Sequence, residues 1–330
     1  MRTGRCGHVG PVAAAAAILA AGLVAATTAR ASTARRPATT TTTSPPTTTT
    51  TAPPASAPVA PGGSVAWHPA GRQVLGQPVL FLGSAGGATL AWMPPNLVRP
   101  VVVPGSGDPG GPWPWGGQVD PTNRANLVAA FNGGFKWSDF NGGVLAFGHS
   151  FRGLAAGQAS FVVFADGSFT VGLWGRDVNP GPNVAAVRQN LSLLVDGGAP
   201  TAAAGSSGSW GASVGGVATQ RSAVGVDAKG GLVWAGGGLS PLALANALVA
   251  GGAVRGMQMD INPAWVNLNL YQPGFDGVVH GSPVYGATGP DRYLSPNSRD
   301  FIAVLIRAAV VPGAPEKVGL APVDGKVHVP

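Results

Sequence analysis

Charged side chains are scarce in this chain, at 10% of its 330 residues, where soluble domains average ~25%. Five of the twenty basic side chains lie in the first 60 residues, which contain no acid, so the rest carries fifteen basic and thirteen acidic side chains. No cluster of lysine or arginine breaks this near balance. A nucleic-acid-binding surface, which depends on clustered positive charge, is therefore excluded.

Cysteine and glutamate are almost absent. The single cysteine, Cys6, stands before the first apolar run, so the body of the chain has no disulfide, no cysteine nucleophile and no thiolate metal site. Glu316 is the only glutamate. Any carboxylate chemistry in the body must consequently use aspartate.

Glycine and proline are in excess, at 52 and 31 residues. The glycines follow no three-residue period, which excludes a collagen. Nine tryptophans and eleven phenylalanines need burial, which excludes a wholly disordered chain. Short apolar runs separated by glycine turns instead predict many β-strands.

The N-terminus has the pattern of an export signal. A basic stretch over residues 1–8 precedes an Ala/Leu/Val run over residues 10–26, and Ala29-Arg30-Ala31 offers a cleavage site. We predict a signal peptide over residues 1–31. An uncleaved membrane anchor is the alternative, because an apolar run of ~17 residues approaches spanning length. Contact with a membrane would then involve this segment alone.

A Thr/Pro-rich segment follows over residues 32–63. Such a segment has little apolar surface to bury and stays disordered. It predicts a stalk that carries a single globular domain, residues 64–330, away from a membrane or wall. Together with the signal segment it predicts a secreted or cell-surface, extracytoplasmic protein.

The strand pattern predicts three hairpins, which join residues 77–83 to 88–93, 160–165 to 168–174, and 222–227 to 232–235. A helix is predicted over residues 241–250, because Ser240 can cap it and Gly251-Gly252 can end it. A strand over residues 254–261 follows at once, and strand–helix–strand is a crossover that allows parallel pairing. The predicted class is α+β, with a mixed, mainly antiparallel sheet, a β-α-β crossover and few helices.

Polar side chains stand at the ends of several predicted strands. Alternation places Gln258, Asp260 and Asn262 on one strand face, close enough together to hold a small ligand. Burying an aspartate costs several kcal/mol unless it is paired, so we expect Asp260 to have a function. The other polar and glycine positions of this kind are Asn132, Gly133, Gly134 and Lys136, then Asn190 and Asp196, then Arg221 beside the small Ala223 and Gly225.

Four segments, in this order, resemble the phosphodiester glycosidase family: residues 130–135 (AFNGGF), Asp196-Gly197-Gly198, residues 220–226 (QRSAVGV) and Met259-Asp260. The resemblance covers residues 127–308. It implies an α+β fold and hydrolysis of a sugar–phosphate linkage, as in the uncovering enzyme, which removes N-acetylglucosamine from a sugar-1-phosphate diester. The chain departs from the family after Asp260, where Ile-Asn-Pro-Ala replaces Gly-Gly-Gly-Ser.

The predicted function is an exported hydrolase that cleaves a glycosyl phosphodiester linkage in a cell-surface glycan or glycopolymer. Breaking this bond builds positive charge on the sugar ring and negative charge on the leaving phosphate. Asp260 is therefore assigned as base or ring stabiliser and Arg221 as phosphate clamp, with Asp196 as a further catalytic residue. The predicted substrate-binding residues are Asn132, Gly133, Gly134, Lys136, Asn190, Gln258 and Asn262.

A non-catalytic domain that binds cell-wall carbohydrate is the alternative function. Five tryptophans near predicted loops could stack on sugars, namely Trp113, Trp115, Trp137, Trp210 and Trp265. The expected partner is in either case a carbohydrate or a sugar phosphate. The sequence requires no cofactor; Ca²⁺, held by aspartate and asparagine oxygens, is the candidate cation.

Overall fold

The computed structural model describes residues 58–61, 63–140, 142–206, 208, 210–211 and 217–307. The predicted signal peptide lies outside the described residues, as does the predicted stalk apart from residues 58–61 and 63. Within these ranges, no helix combines the length and the apolar composition needed to cross a membrane.

Short strands dominate the described part of the chain. They are β1 (His68–Pro69), β2 (Gln73–Val74), β3 (Gln77–Pro78), β4 (Phe81–Ala85), β5 (Ala88–Met93), β6 (Val98–Val103), β7 (Leu127–Asn132), β8 (Val144–Ala146), β9 (His149–Arg152), β10 (Ala159–Phe164), β11 (Phe169–Leu173), β12 (Val184–Gln189), β13 (Leu193–Asp196), β14 (Ala199–Pro200), β15 (Thr219–Asp227), β16 (Leu232–Leu239), β17 (Ala253–Gln258), β18 (Leu268–Pro273), β19 (Val279–Tyr285) and β20 (Phe301–Ile306). Helix α1 is Pro241–Ala250, and 3₁₀ turns occur at Pro114–Gly116, Pro121–Asn126, Ala202–Gly205 and Pro290–Leu294.

The strands form three large sheets and one small one. Sheet I has the order β1-β4-β5-β16-β15-β17-β13-β14, sheet II the order β11-β10-β12-β8-β9, and sheet III the order β19-β18-β7-β20-β6; β2 and β3 pair with each other. The three predicted hairpins are present as β4–β5, β10–β11 and β15–β16, with β4 beginning at Phe81 rather than at residue 77.

The predicted α+β class with a mixed sheet is wrong, because the protein is a mostly antiparallel β-fold. Every pairing between the strands named above is antiparallel. Helix α1 connects β16 to β17, but β15 lies between them and pairs with both. The order strand, helix, strand in the sequence does not say which strands become neighbours, so the expected parallel pair does not form.

Alternation of side chains along the strands separates the cores. The largest core combines the inner faces of sheets I, II and III, with Trp234, Phe161 and Phe131 among its members. Helix α1 covers the other face of sheet I, where Leu244 and Leu248 are completely buried. The outer face of sheet III carries a separate aromatic and aliphatic cluster.

Helix α1 begins as its sequence predicts. The Ser240 hydroxyl oxygen accepts a hydrogen bond from the backbone N–H of Ala243 at 3.2 Å, and Pro241 occupies the first turn, where no N–H is needed. At the other end, Gly251 N–H donates to the carbonyl of Ala247 at 3.0 Å. The apolar stripe of this capped helix then packs on sheet I.

Replacing Ser240 by alanine should lower the free energy of unfolding by about 1 kcal/mol, because the first turn loses its side-chain cap. Urea unfolding measures the change, and Ser240→Asn, which keeps a capping oxygen, is the matched control. Equal stability of the alanine and asparagine variants would show that the cap does not stabilise the fold.

Candidate functional site

Strand ends from all three large sheets meet at one place. In sheet III, β7 ends at Asn132, directly opposite Phe301, where β20 begins. In sheet II, β12 is followed by Asn190, whose Nδ2 donates to the carbonyls of Gln258 and Met259 at the end of β17 in sheet I (2.8 and 2.7 Å). The antiparallel pairing of β7 with β20 thus brings residues far apart in sequence to the same sheet edge.

Two carboxylates share one guanidinium at this junction. The Asp260 Oδ2 atom accepts a hydrogen bond from Arg299 Nη2 at 2.9 Å. On the other side of the same group, Arg299 Nε lies 3.2 Å from Asp108 Oδ2, in an ion pair without hydrogen-bond geometry. Asp260 and Arg299 are only 4% and 6% exposed, whereas the Asp108 side chain is 16% exposed.

A second buried ion pair lies beside the first. Arg188 Nε donates to Asp300 Oδ2 at 2.6 Å, and Arg188 Nη2 donates to the carbonyl of Phe135 at 2.6 Å. We call Asp108, Asp260, Asp300, Arg188 and Arg299 the carboxylate–guanidinium cluster. It contains three carboxylates and two guanidinium groups, so it carries one excess negative charge when all are ionised.

Gly133 and Gly134 allow the cluster to pack against the backbone. A Cβ atom on Gly133 would collide with the Asp300 carboxylate, and one on Gly134 would lie 2.9 Å from the guanidinium carbon of Arg188. The carbonyl of Gly134 also accepts from Arg299 Nη2 at 2.9 Å. The space that a side chain would need at Gly133 or Gly134 is therefore occupied by Asp300 and Arg188 of the protein itself.

Asn132 connects to Asp260 through a serine. Its Nδ2 donates to Ser222 Oγ at 2.9 Å, and its Oδ1 accepts from Ser222 Oγ and from the backbone N–H of Asn267, both at 3.1 Å. The backbone N–H of Asp260 lies 3.4 Å from the same Ser222 oxygen. The Asn132 amide is buried and hydrogen-bonded within the protein. Through Ser222 it positions the backbone of Asp260, just after the end of β17.

Arg221 lies on the opposite face of sheet I. Ala223 belongs to the core beneath α1 and Val224 to the central core, so alternation directs Arg221 toward α1 and Ser222 toward Asn132. Arg221 is fully buried. Its guanidinium donates to the carbonyls of Trp210 (2.9 Å), Val217 (3.0 Å) and Leu239 (3.0 Å), and to Gln258 Oε1 (2.8 Å).

The structure therefore does not bring Arg221 or Gln258 to the cluster through their side chains. Burial lowers the pKa of the Arg221 guanidinium to about 10, which leaves it charged at neutral pH. Its effect on the cluster is indirect, because Gln258 occupies the end of β17 two residues before Asp260.

Asp196 lies apart, in a surface network of ion pairs. Its side chain is 32% exposed, with Oδ2 2.8 Å from Arg176 Nη2 and Oδ1 3.7 Å from Arg255 Nε. Asp196 is paired with Arg255 across strands β13 and β17. Arg255 is five residues before Asp260, or roughly 17 Å along a strand. The structure does not join Asp196 to the cluster.

Lys136 and Asn262 are exposed. Asn262 belongs to the turn that follows Asp260. In this turn Asp260 Oδ1 accepts from the N–H groups of Ile261 (2.7 Å) and Asn262 (2.9 Å), and Asn262 Oδ1 accepts from Ala264 N–H (2.9 Å). The backbone donors of the turn are thus directed to the protein's own side chains.

Burial is the largest influence on the pKa of both carboxyl groups that pair with Arg299, those of Asp260 and Asp108. It raises the pKa of the Asp260 carboxyl, and the Arg299 guanidinium and the N–H groups of Asn262 and Ile261 offset only part of this increase. Burial also raises the pKa of Asp108, against the opposing N–H of Trp137 and the charge of Arg299. Each of these aspartates therefore holds a proton more readily than an aspartate in water.

The charged partners of Asp260 are not among the site residues predicted from the sequence. Arg299 and Asp300 form a charged pair directly before the apolar strand β20, and Arg188 interrupts the apolar strand β12. In a chain with few charges, an arginine within an apolar run indicates buried acceptors, which are the Asp300 carboxylate for Arg188 and backbone carbonyls for Arg221. Asp108 lies in a Gly/Pro loop and offered no comparable signal.

The five tryptophans near predicted loops differ in exposure. Trp210, Trp113 and Trp137 are buried, and Trp115 is 40% exposed. Trp265 is partly buried, with the guanidinium carbons of Arg292 and Arg299 4.6 and 5.1 Å from its ring centre. Over the ranges that the structure describes, no group of three His, Cys, Asp or Glu side chains is arranged to hold a metal. A Ca²⁺ site stays a prediction.

No family model and no curated protein matches the chain. Among solved structures, the catalytic domain of zebrafish N-acetylglucosamine-1-phosphodiester alpha-N-acetylglucosaminidase, auto-inhibited by its pro-peptide, is similar over 73% of this chain and 87% of that chain, at 16% identity and a TM-score of 0.43. A hypothetical protein from Synechocystis is similar over 76% and 69% of the two chains (12% identity, TM-score 0.36). A candidate exported protein from Burkholderia pseudomallei is similar over 69% and 75% (11% identity, TM-score 0.36). The relationship is a distant one, at the level of the fold.

The raised pKa of Asp260 predicts how stability depends on pH. The folded protein binds more protons than the unfolded chain between the ordinary aspartate pKa of about 3.9 and the higher folded-state pKa. Stability therefore falls as pH rises through this interval. Asp260→Asn removes this contribution, so the free energy of unfolding of the wild type, relative to the variant, should decrease as pH rises from about 4.

Urea unfolding of both proteins at pH values between 4 and 8 measures this difference, and effects of other titrating groups largely cancel in it. A difference that increases with pH would mean that Arg299 outweighs burial and depresses the pKa of Asp260.

Proposed function

We propose that this protein is an exported hydrolase that cleaves glycosyl phosphodiester linkages, with the carboxylate–guanidinium cluster as its reaction centre. One observation carries the proposal: Asp260 and Asp108, both with a raised pKa, lie on two sides of the single guanidinium of Arg299. Carboxyl groups that hold a proton more readily than an aspartate in water, beside a fixed cation, suit a reaction that separates charge.

The reaction adds water across the bond between the anomeric carbon and its bridging oxygen. The carbon–oxygen bond breaks, its electron pair leaves with the phosphate, and the water oxygen bonds to the anomeric carbon. A base takes the proton that the water loses. The products are a free sugar and a phosphate monoester, and because phosphate leaves readily without being protonated, one base is sufficient.

Asp260 is the proposed base and the group that stabilises positive charge on the sugar ring. Two backbone N–H groups and Arg299 fix the orientation of its carboxylate before any substrate binds. Such preorganisation avoids reorienting the carboxylate during the reaction. The hydrogen bonds of Asn132 and Ser222 hold the backbone of Asp260, so we assign these two residues a positioning role.

Arg299 is the proposed partner of the leaving phosphate, the role that the sequence suggested for Arg221. Its Nη2 atom is bonded to Asp260 and Gly134, while its Nη1 makes no hydrogen bond to any residue in the described ranges. Lys136, exposed two residues after Gly134, is a second candidate cation. Asp108, the more exposed carboxyl, can store or return the proton.

Sugar-1-phosphate methyl diesters of glucose and N-acetylglucosamine, in both anomeric forms, test this activity with the purified protein. We expect hydrolysis of at least one diester, with release of methyl phosphate followed by ³¹P NMR. In ¹⁸O-labelled water the label should enter the sugar, since the carbon–oxygen bond breaks. Asp260→Asn should lower kcat by about 10²–10⁴-fold, the usual contribution of a general base.

Asp196→Asn is the matched control, because it removes a carboxylate that the structure holds in surface ion pairs. Its turnover should equal that of the wild type. Label in the phosphate would instead identify a phosphodiesterase, and absence of turnover on every diester, or equal losses in the Asp196 and Asp260 variants, would contradict the proposed centre.

Export and a cell-surface substrate belong to the same proposal. They are supported by the signal-like segment over residues 1–31 and the Thr/Pro-rich stretch that follows. A stalk of this composition would hold the domain within reach of wall or capsular polymers.

A further inference from the structure

A separate cleft lies on the outer face of sheet III. It encloses about 440 Å³ and has a floor of Val103, Ala303 and Leu305, from strands β6 and β20. Trp115 and Phe147 form its aromatic wall. On β20, Ala303 is three residues from Asp300, so the floor begins roughly 10 Å from the carboxylate–guanidinium cluster. We call this space the Trp115 cleft.

Both aromatic residues of the Trp115 cleft have an unfavourable backbone conformation. Trp115 has φ 59° and Phe147 has φ 51°, in the left-handed region, and they are two of four non-glycine residues with positive φ in the described ranges. Phe147 and Gly148 form the two-residue turn between β8 and β9, where asparagine and glycine are the residues that fit best. Bulky side chains in such positions are uncommon and often belong to binding sites.

The two rings contact each other edge to face, with centres 5.6 Å apart, and Trp115 remains 40% exposed. Trp115 belongs to none of the buried hydrophobic clusters. Burial in a core therefore does not account for this ring. A tryptophan held rigidly at the edge of a cleft offers a flat apolar surface to a ligand.

Two polar side chains that line the cleft each have an atom available for a ligand. Gln118 accepts from Arg124 through Oε1 (2.7 Å), which leaves its Nε2 donor without a partner among the described residues. Asn123 donates from Nδ2 to Asp120 (2.7 Å). Its Oδ1 acceptor has no hydrogen-bond partner among the described residues. Of the described residues that line the cleft, only Asp120 is charged, so the cleft disfavours an anionic ligand.

We infer that the Trp115 cleft binds a neutral pyranose unit of a glycan, independently of the hydrolytic centre. A pyranose has an apolar face of C–H groups for Trp115 and hydroxyl groups for the free donor of Gln118 and the free acceptor of Asn123. The volume of the cleft suits one or two sugar rings by the usual size of small-molecule sites. Such a site would hold a polymer on the domain while the cluster acts on another part of it.

Fluorine NMR of the protein labelled with 5-fluorotryptophan tests this binding, with the Trp115 signal identified through Trp115→Phe. The probes are maltohexaose, chitohexaose and mannohexaose, with hexagalacturonate as an anionic control. We expect at least one neutral probe to shift the Trp115 signal and hexagalacturonate to leave it unchanged. No shift with any neutral probe at millimolar concentration would overturn the inference.

Trp115→Asn separates binding from folding. Asparagine tolerates the left-handed conformation, so the variant should keep the thermal midpoint of the wild type while its Kd for the bound probe, measured by calorimetry, rises about tenfold. Unchanged affinity would contradict the role of Trp115. A Trp115 signal that instead moves with protein concentration would assign the cleft to a second copy of the chain.

Two variants keep this inference distinct from the proposed hydrolysis. Asp260→Asn should bind the probe as the wild type does, because the cluster does not line the cleft. Trp115→Asn should hydrolyse a small diester at the wild-type rate. Loss of probe binding in the Asp260 variant would contradict the independence of the two sites.

Discussion

The guanidinium of Arg299 joins elements that are far apart in sequence. It donates hydrogen bonds to the carboxylate of Asp260, which follows β17, and to the carbonyl of Gly134, which follows β7. It also forms an ion pair with Asp108, which lies in a loop. Without this cation, the buried Asp260 and the partly buried Asp108 would lose their shared counter-charge, and leaving a buried charge unpaired costs several kcal/mol. Arg299 thus ties the chain after β17 to the chain after β7 and to the Asp108 loop, and the proposed chemistry depends on the same side chain.

Stability and chemistry make opposite demands on this cluster. Full neutralisation would favour the fold, yet three carboxylates face two guanidinium groups, and burial raises the pKa of Asp108 and Asp260. An excess of buried carboxylate is unfavourable for folding and useful for proton exchange. The hydrogen bonds from the backbone N–H groups of Ile261 and Asn262 to Asp260 partly compensate the cost of burying its carboxylate. In a glycine-rich turn these two donors would be free for a ligand.

Strand β20 relates the two proposed sites. Arg299 and Asp300 precede it at the junction, while Ala303 and Leu305 lie further along it on the floor of the Trp115 cleft. Two residues of the cluster and part of the floor of the cleft are thus positioned by one buried, antiparallel strand paired with β6 and β7. A rigid strand of this kind holds two binding surfaces at a constant separation, which suits a polymeric substrate with repeating units.

Local signals in the sequence determined the elements that depend on neighbouring residues: the hairpins at glycine turns and the start of α1 at Ser240. They did not determine the fold class, because β15 inserts between β16 and β17 and no local pattern specifies which strands pair. They also could not assign partners to Asp260 or a face to Arg221. Those depend on antiparallel pairing across three sheets, which brings Arg299 to Asp260 over 39 residues and directs Arg221 to the opposite side. Ion pairs between distant segments exist only in the folded chain, so tertiary structure alone decided which aspartates and arginines meet.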